Sequence, residues 1–341
     1  MFMSRQTKRT PSRREFLRNS TIVGGAAGLG IFARGSRGSS EQSRARYSTA
    51  TNPFAAGARV QAIVAEVRRG GGDQRVQVQR LFSRLSARAA NGISAETSGL
   101  ASDTRAPRTA EGTLGAGTGG RAGSGDCTEM ATVVIACLQQ LGISGGGRIV
   151  HFQGSPATVE HMVAFANIRG SEITIDLQAT ALGQTMLTVD RTIQSMTFAQ
   201  AAGMYHREYG NYLRNQRRND EAISAFEEAI RRNPDDAYCH HKLAVILHER
   251  NRGDDRQRAA LERIRASELA PGNQIYLREA APAAYDAAFT AYDAGRTDDA
   301  RRHFQQCVDF STRLNAGDGG ASGRAIGARY LPECRDALGQ L

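Results

Sequence analysis

The stretch that most constrains the fold is residues 125–142, GDCTEMATVVIACLQQLG, which has the pattern of one capped core helix. Apolar residues recur along it at every third or fourth position, the spacing of one helix face. Asp126 is a suitable N-cap, Glu129 completes a capping box, and Gly142 suits the C-terminus. We therefore predict a buried helix that begins at Cys127 and carries this cysteine in its first turn, outside the apolar stripe.

Three strand-like runs follow this helix, at 148–153, 161–166 and 172–177. The last two flank residues 167–170, which we interpret as a four-residue hairpin loop. In that register Ala166 pairs with Ser171, and His161 lies directly opposite Asp176. Directly opposed residues share one face of a sheet. The sequence therefore predicts that a histidine and an aspartate lie side by side.

Cys127, His161 and Asp176 are the candidate catalytic residues. A thiol nucleophile needs a base within hydrogen-bond reach and a third group that fixes the tautomer of the base. The start of a helix favours the thiolate form and offers free N–H groups to an oxyanion. Taken singly, a cysteine on a helix or a histidine on a strand is usually structural. We expect the three together to act without a cofactor or a metal.

The run GDCTEMATVVIACLQQLGI resembles the core motif of the transglutaminase-like superfamily, and the resemblance covers about residues 74–192. It implies an α+β papain-like fold, a helix packed on an antiparallel sheet. It also implies Cys127 as the nucleophile, His161 as the general base and Asp176 as the residue that orients it. The chain departs from the family at Val163, where a Trp is common, and at Cys137.

The C-terminal half resembles tetratricopeptide (TPR) repeats, which implies an all-α helical solenoid at about 203–314 with a capping helix at 322–341. A first copy ends at Pro234, a second at Pro271, and a weaker third spans about 281–314. Small and aromatic residues occupy the expected positions of these copies, namely Gly210, Ala222, Phe226, Ala229, Ala259, Ala266, Ala288, Ala300 and Phe304. Such repeats imply a groove for a peptide or protein ligand. A purely structural or dimerising extension is the alternative.

The N-terminal segment, residues 1–46, has the pattern of an export signal followed by a disordered linker. Its SRREFLR sequence at 12–18 resembles the twin-arginine (Tat) motif, and a 13-residue apolar run from Thr21 to Ala33 is too short to span a membrane. The resemblance implies a periplasmic or extracellular protein, anchored to a membrane only if the signal is not cleaved. Of the net charge of +10, +8 lies in this segment, so we expect no nucleic-acid binding.

The remaining cysteines and histidines suggest no second site. Cys307 and Cys334 could pair in an oxidising compartment, although we favour two buried thiols. His151 is expected to be structural. Cys239-His240-His241 with His248 is a weak candidate for a metal site, because adjacent residues on a helix point apart, and we expect none.

The sequence thus predicts an exported thiol enzyme with a transglutaminase-like domain at 55–195 and TPR-like repeats after it. It is expected to attack amide bonds of a peptide or protein through a thioester. Hydrolysis, as in a cysteine protease or amidase, is slightly favoured over cross-linking. The alternative is a non-enzymatic TPR scaffold protein with an inactive thiol domain.

Overall fold

The computed structural model describes residues 47–86, 92–95, 105–116, 123–152, 161–177 and 189–341. These residues belong to two compact units, 47–246 and 247–341. The predicted twin-arginine segment lies outside the described residues. None of the helices in the ranges given above is both long and apolar enough to cross a membrane.

The first unit combines helices with a small antiparallel sheet. Its elements, in chain order, are helices α1 (Ala58–Arg69) and α2 (Gln74–Leu85), strand β1 (Ile93–Ala95), helix α3 (Ala110–Gly115), strand β2 (Gly123–Gly125), helix α4 (Cys127–Leu141), strands β3 (Gly145–Phe152), β4 (His161–Ile168), β5 (Ser171–Ile175) and β6 (Val189–Thr197), and helices α5 (Phe198–Asn215) and α6 (Asn219–Arg232). The predicted mixed α+β class is confirmed. Residues 91–125 contain nine Gly and few bulky apolar residues, a composition that predicts a long loop. This prediction is wrong where the stretch contains β1, α3 and β2.

The main sheet has the strand order β5-β4-β3-β6, with every neighbouring pair antiparallel. Helix α4 packs against β3 and β4, and its apolar residues form one core with those of α1, α2 and the sheet. Strand β3 begins three residues before the predicted start, because Gly145, Gly146 and Gly147 belong to it. At the first two a side chain would collide with the carbonyl oxygens of Phe165 and Met196 on the neighbouring strands.

The β4–β5 hairpin differs from the predicted register. Ile168 pairs with Ser171 and Ala164 with Ile175, so the turn has two residues, Arg169 and Gly170, rather than four. Both have positive φ, 53° and 81°, which is typical of a tight hairpin turn. The prediction that Ala166 pairs with Ser171 and that His161 lies directly opposite Asp176 is therefore wrong by two residues.

Helix α5 belongs to both the mixed core and the first helical pair. Ala201, Ala202 and Met204 pack in the same core as α4, whereas Gly210 faces α6. A Cβ atom on Gly210 would lie 2.9 Å from the ring of Phe226, so the small residue permits the close helix approach that the repeat pattern predicts.

Helix α7 (Ala237–Arg250) contains the boundary between the two units. The second unit continues with α8 (Asp255–Leu269), α9 (Gln274–Asp293), α10 (Thr297–Ala316) and α11 (Gly320–Gln340). Helix α9 packs against α8, α10 and α11. Helix α9 begins seven residues before the predicted start of the third copy at 281.

Cys307 of α10 and Cys334 of α11 form a disulfide, with their Cα atoms 6.3 Å apart. The expectation of two buried thiols at these positions is therefore wrong. Both residues are completely buried, and the helical apolar pattern alone did not show that their two helices are neighbours.

Candidate active site

Cys127 is the first residue of α4, as predicted, and the helix start has the predicted capping box. The Asp126 Oδ1 atom accepts a hydrogen bond from the Glu129 backbone N–H at 2.9 Å. The Glu129 Oε2 atom accepts one from the Asp126 N–H at 3.3 Å. Cys127 is half-buried, whereas the two other thiols outside the disulfide, Cys137 and Cys239, are completely buried. The nucleophile candidate is therefore the accessible thiol of this chain.

His161, at the start of β4, forms an ion pair with Asp176, the residue that follows β5. Its Nε2 atom lies 3.2 Å from Asp176 Oδ1. Continued by one residue, the observed register sets Asp176 opposite Val163 rather than His161. Because side chains alternate along a strand, a shift of two residues leaves both partners on the same face. The wrong register thus still predicted the correct neighbours.

Cys127 is the second partner of His161. Burial lowers the pKa of the imidazole, but hydrogen bonds to Asp176 and to Cys127 outweigh burial and raise this pKa from 6.5 to about 9. The nearby charges of the same two residues act in the same direction. The structure therefore brings the three predicted site residues together in the order thiol, imidazole and carboxylate.

Burial also distinguishes the thiols of Cys137 and Cys239 from that of Cys127. It raises the pKa of Cys137 to about 12, with a smaller contribution from Glu111. It likewise raises the pKa of Cys239 well above its ordinary value of 9.0. A buried neutral thiol is a poor nucleophile. Cys137 and Cys239 are therefore packing residues, in contrast to Cys127.

Sequence reasoning missed two arginines that hold the first turn of α4. Arg105 donates to both carboxylate oxygens of Glu129, at 2.5 and 2.6 Å. Arg108 donates to Glu129 Oε1 through its backbone N–H at 2.8 Å, and its guanidinium lies 3.3 Å from Oε2. The one available signal was that a capping-box glutamate inside a core helix needs a cationic partner when it is buried.

Two residues of the weak metal-site candidate, Cys239 and His240, have other partners. Cys239 Sγ donates to Asp236 Oδ2 at 3.3 Å, and the His240 Nε2 atom lies 3.0 Å from the Pro234 carbonyl oxygen. Within the residues that the structure describes, no group of three or more His, Cys, Asp or Glu side chains is arranged to hold a metal ion. His151 lies in β3, and its side chain is outside the described part.

Comparison with known proteins supports the repeat region. A tetratricopeptide repeat family model matches residues 204–246, which include most of α5, all of α6 and most of α7. Such repeats generally bind protein partners. No curated protein matches the chain. The protein therefore has a segment that matches the tetratricopeptide repeat model and, N-terminal to it, a mixed α+β region with a clustered cysteine, histidine and aspartate.

Proposed function

We propose that the protein is a cysteine-dependent acyl-transfer enzyme of the transglutaminase-like type, with a papain-like core formed by α4 and the β5-β4-β3-β6 sheet. The observation that carries the proposal is that His161, whose Nε2 atom lies 3.2 Å from Asp176 Oδ1, also interacts with Cys127, the first residue of a buried helix. This order of nucleophile, base and orienting acid is the arrangement that activates a thiol. No cofactor is required by this chemistry.

In the proposed reaction the Cys127 sulfur attacks the carbonyl carbon of a peptide or protein amide. The carbonyl π electrons move to oxygen, and free N–H groups at the start of α4 stabilise the oxyanion. Because Nε2 of His161 faces Asp176, we assign Nδ1 as the nitrogen that takes the proton from Cys127. The imidazolium gives its proton to the leaving nitrogen as the C–N bond breaks, which yields a thioester and an amine or ammonia.

The second half of the reaction needs an acceptor for the acyl group. Water gives an acid, as in a peptidase or amidase, and a primary amine gives a new amide, as in cross-linking. In both cases His161 removes a proton from the acceptor, and the Cys127 sulfur leaves as thiolate. We favour water.

An activated ester tests the proposal without knowledge of the natural substrate. With p-nitrophenyl acetate, an acyl-enzyme mechanism predicts a burst of about one nitrophenolate per chain, followed by slow turnover. The burst should vanish in Cys127→Ala and slow by at least tenfold in His161→Ala. A burst of equal size in Cys127→Ala would contradict the proposal. Addition of glycine ethyl ester then measures the partition between hydrolysis and amine transfer.

We also propose that the protein is exported by the twin-arginine route. The SRREFLR sequence at 12–18 suggests this route. The Cys307–Cys334 disulfide supports it, because disulfides persist in oxidising compartments outside the cytosol.

The second candidate function is a non-enzymatic interaction protein whose repeats bind a peptide or protein. The match of residues 204–246 to the tetratricopeptide repeat model favours it. The two functions differ in the role of Cys127. A scaffold would keep its ligand affinity in Cys127→Ala and would show no burst.

A further inference from the structure

The N-terminus of α4 contains a buried charge cluster that the capping box alone does not require. The side chain of Glu129 is 2% exposed. Besides its bond to the Asp126 N–H, it receives both guanidinium arms of Arg105 and the backbone and guanidinium of Arg108. A capping box needs one acceptor at this position, and an uncharged glutamine supplies it equally well. The two arginines therefore serve something more than the cap.

The segment that carries these arginines is held at its C-terminal end by separate contacts. Thr109 caps α3 by accepting a hydrogen bond from the Gly112 N–H at 3.3 Å. The Ala110 N–H donates to the carbonyl oxygen of Pro53 at 2.9 Å. Because these contacts already hold the C-terminal end of the segment, Arg105 and Arg108 are not needed to hold it there. Their contacts are directed at Glu129, two residues after Cys127.

The charges around Cys127 explain why two cations are useful there. Asp126 and Glu129 place two carboxylates within one turn of the thiol, and negative charge disfavours a thiolate. Cys127 also faces His161 of β4, which is ion-paired with Asp176, the residue after β5. Arg105 and Arg108 add two positive charges at Glu129 and so offset the two negative charges.

We propose that Arg105 and Arg108 are positioning residues of the thiol site, which fix the first turn of α4 through Glu129 and keep its charge favourable to a thiolate at Cys127. This inference rests on the proposed function. They act through Glu129 and need not touch the substrate.

The test is the pH profile of Cys127 alkylation by iodoacetamide in the full chain, read by mass spectrometry of the Cys127 peptide. Arg105→Gln and Arg108→Gln each remove a positive charge and should move the midpoint of the profile to higher pH. At neutral pH we expect the alkylation rate to fall about threefold to tenfold. Glu129→Gln keeps the cap and removes a negative charge, so it should move the midpoint to lower pH. Arg105→Lys should recover most of the wild-type profile.

Arg84→Gln is the matched control, because Arg84 forms an ion pair with Glu66 at 2.8 Å between α2 and α1 of the same unit. It should leave the profile unchanged. A thermal melt of each variant measures loss of structure separately. If the Arg→Gln variants do not fold, the Glu129→Gln and Arg105→Lys profiles decide alone.

Opposite shifts for the arginine and glutamate variants support the proposal, since simple loosening of the helix would move them in the same direction. Unchanged midpoints, or shifts of one sign in all three variants, would overturn it. These results are distinct from failure of the proposed function. In that case the wild-type profile itself would not depend on His161.

Discussion

His161 gives the site a pH dependence that can be measured at the scale of one residue. Its pKa in the folded chain is about 9, above the ordinary 6.5, so its contribution to stability is complete below pH 6.5 and is lost as pH rises through 9. The shift corresponds to about 3 kcal/mol. We expect wild-type unfolding free energy to fall by roughly this amount between pH 6 and pH 9.5, relative to His161→Gln.

Chemical unfolding at both pH values measures this difference, and Asp176→Asn should remove part of it because it removes one bonded partner. If the wild type and His161→Gln differ in unfolding free energy by the same amount at pH 6 and pH 9.5, the result contradicts the ion pair.

Phe226 tests the close approach of α5 and α6. It is completely buried and lies against Gly210, so Phe226→Ala leaves a cavity between the two helices. We expect the unfolding free energy of the first unit to fall by about 3–5 kcal/mol. The matched control is Ile193→Ala in the same unit, because Ile193 is 42% exposed, and we expect a loss below about 1 kcal/mol. Denaturant titration compares them, and equal losses would show that Phe226 is not a core residue.

The sequence predicted the three residues of the candidate site but not the two arginines that hold the start of α4. Cys127 was visible because a cysteine preceded by Gly-Asp lies off an apolar stripe, and His161 and Asp176 because strand alternation limits which residues share a face. Arg105 and Arg108 were not visible, because their segment lacks periodicity and only the fold brings it to Glu129.

At the scale of the element, the β4–β5 turn explains the error in the predicted register. Arg169 has φ 53°, a left-handed conformation that L-residues other than Asn and Asp rarely adopt. The pair Arg-Gly is not a hairpin signal of the Asn-Gly kind, so the sequence predicts a longer loop than the structure has. The helix α4 was predictable to the residue, since both of its ends are marked by capping side chains.

This turn predicts a stabilising substitution. Arg169→Asn keeps Gly170 and places in the left-handed position a residue that tolerates it, so we expect a gain of about 0.5 kcal/mol. Gly170→Ala, at φ 81°, should instead cost about 1 kcal/mol. Thermal or denaturant unfolding of the two variants measures both effects. A loss in Arg169→Asn would contradict the two-residue turn.

The Cys307–Cys334 disulfide joins α10 to α11 and closes a loop with a sequence separation of 27 residues. A loop of this length corresponds to about 3–4 kcal/mol of stabilisation through the unfolded state. We expect dithiothreitol to lower the unfolding midpoint of the second unit by an amount that corresponds to this loss of free energy. The double variant Cys307→Ser with Cys334→Ser should start from the lower value and show no response to the reductant. A response equal to that of the wild type would exclude the disulfide as its cause.

At the scale of the whole molecule, the boundary between the two units falls within helix α7. The sequence indicated a change from mixed to helical structure near residue 203, where apolar spacing becomes uniformly helical. It did not indicate that α5 also packs in the core of α4, because one amphipathic helix pattern does not show which of two cores it joins.

Export and the disulfide make one joint prediction. Arg13-Arg14→Lys-Lys should block export, so the retained chain should carry Cys307 and Cys334 as free thiols that alkylate after denaturation. The exported wild-type chain should alkylate at neither position without a reductant. Undiminished export of the Lys-Lys variant would contradict the twin-arginine route.

The central claim is that Cys127 and His161 work as one nucleophilic unit, and the pH profile of Cys127 alkylation in the wild type and in His161→Ala tests it most directly. The buried Cys137 and Cys239 leave Cys127 as the reporting thiol in the folded chain. We predict that the wild type alkylates readily at neutral pH and that His161→Ala alkylates at least tenfold more slowly there. Identical alkylation profiles of the wild type and His161→Ala would contradict the account.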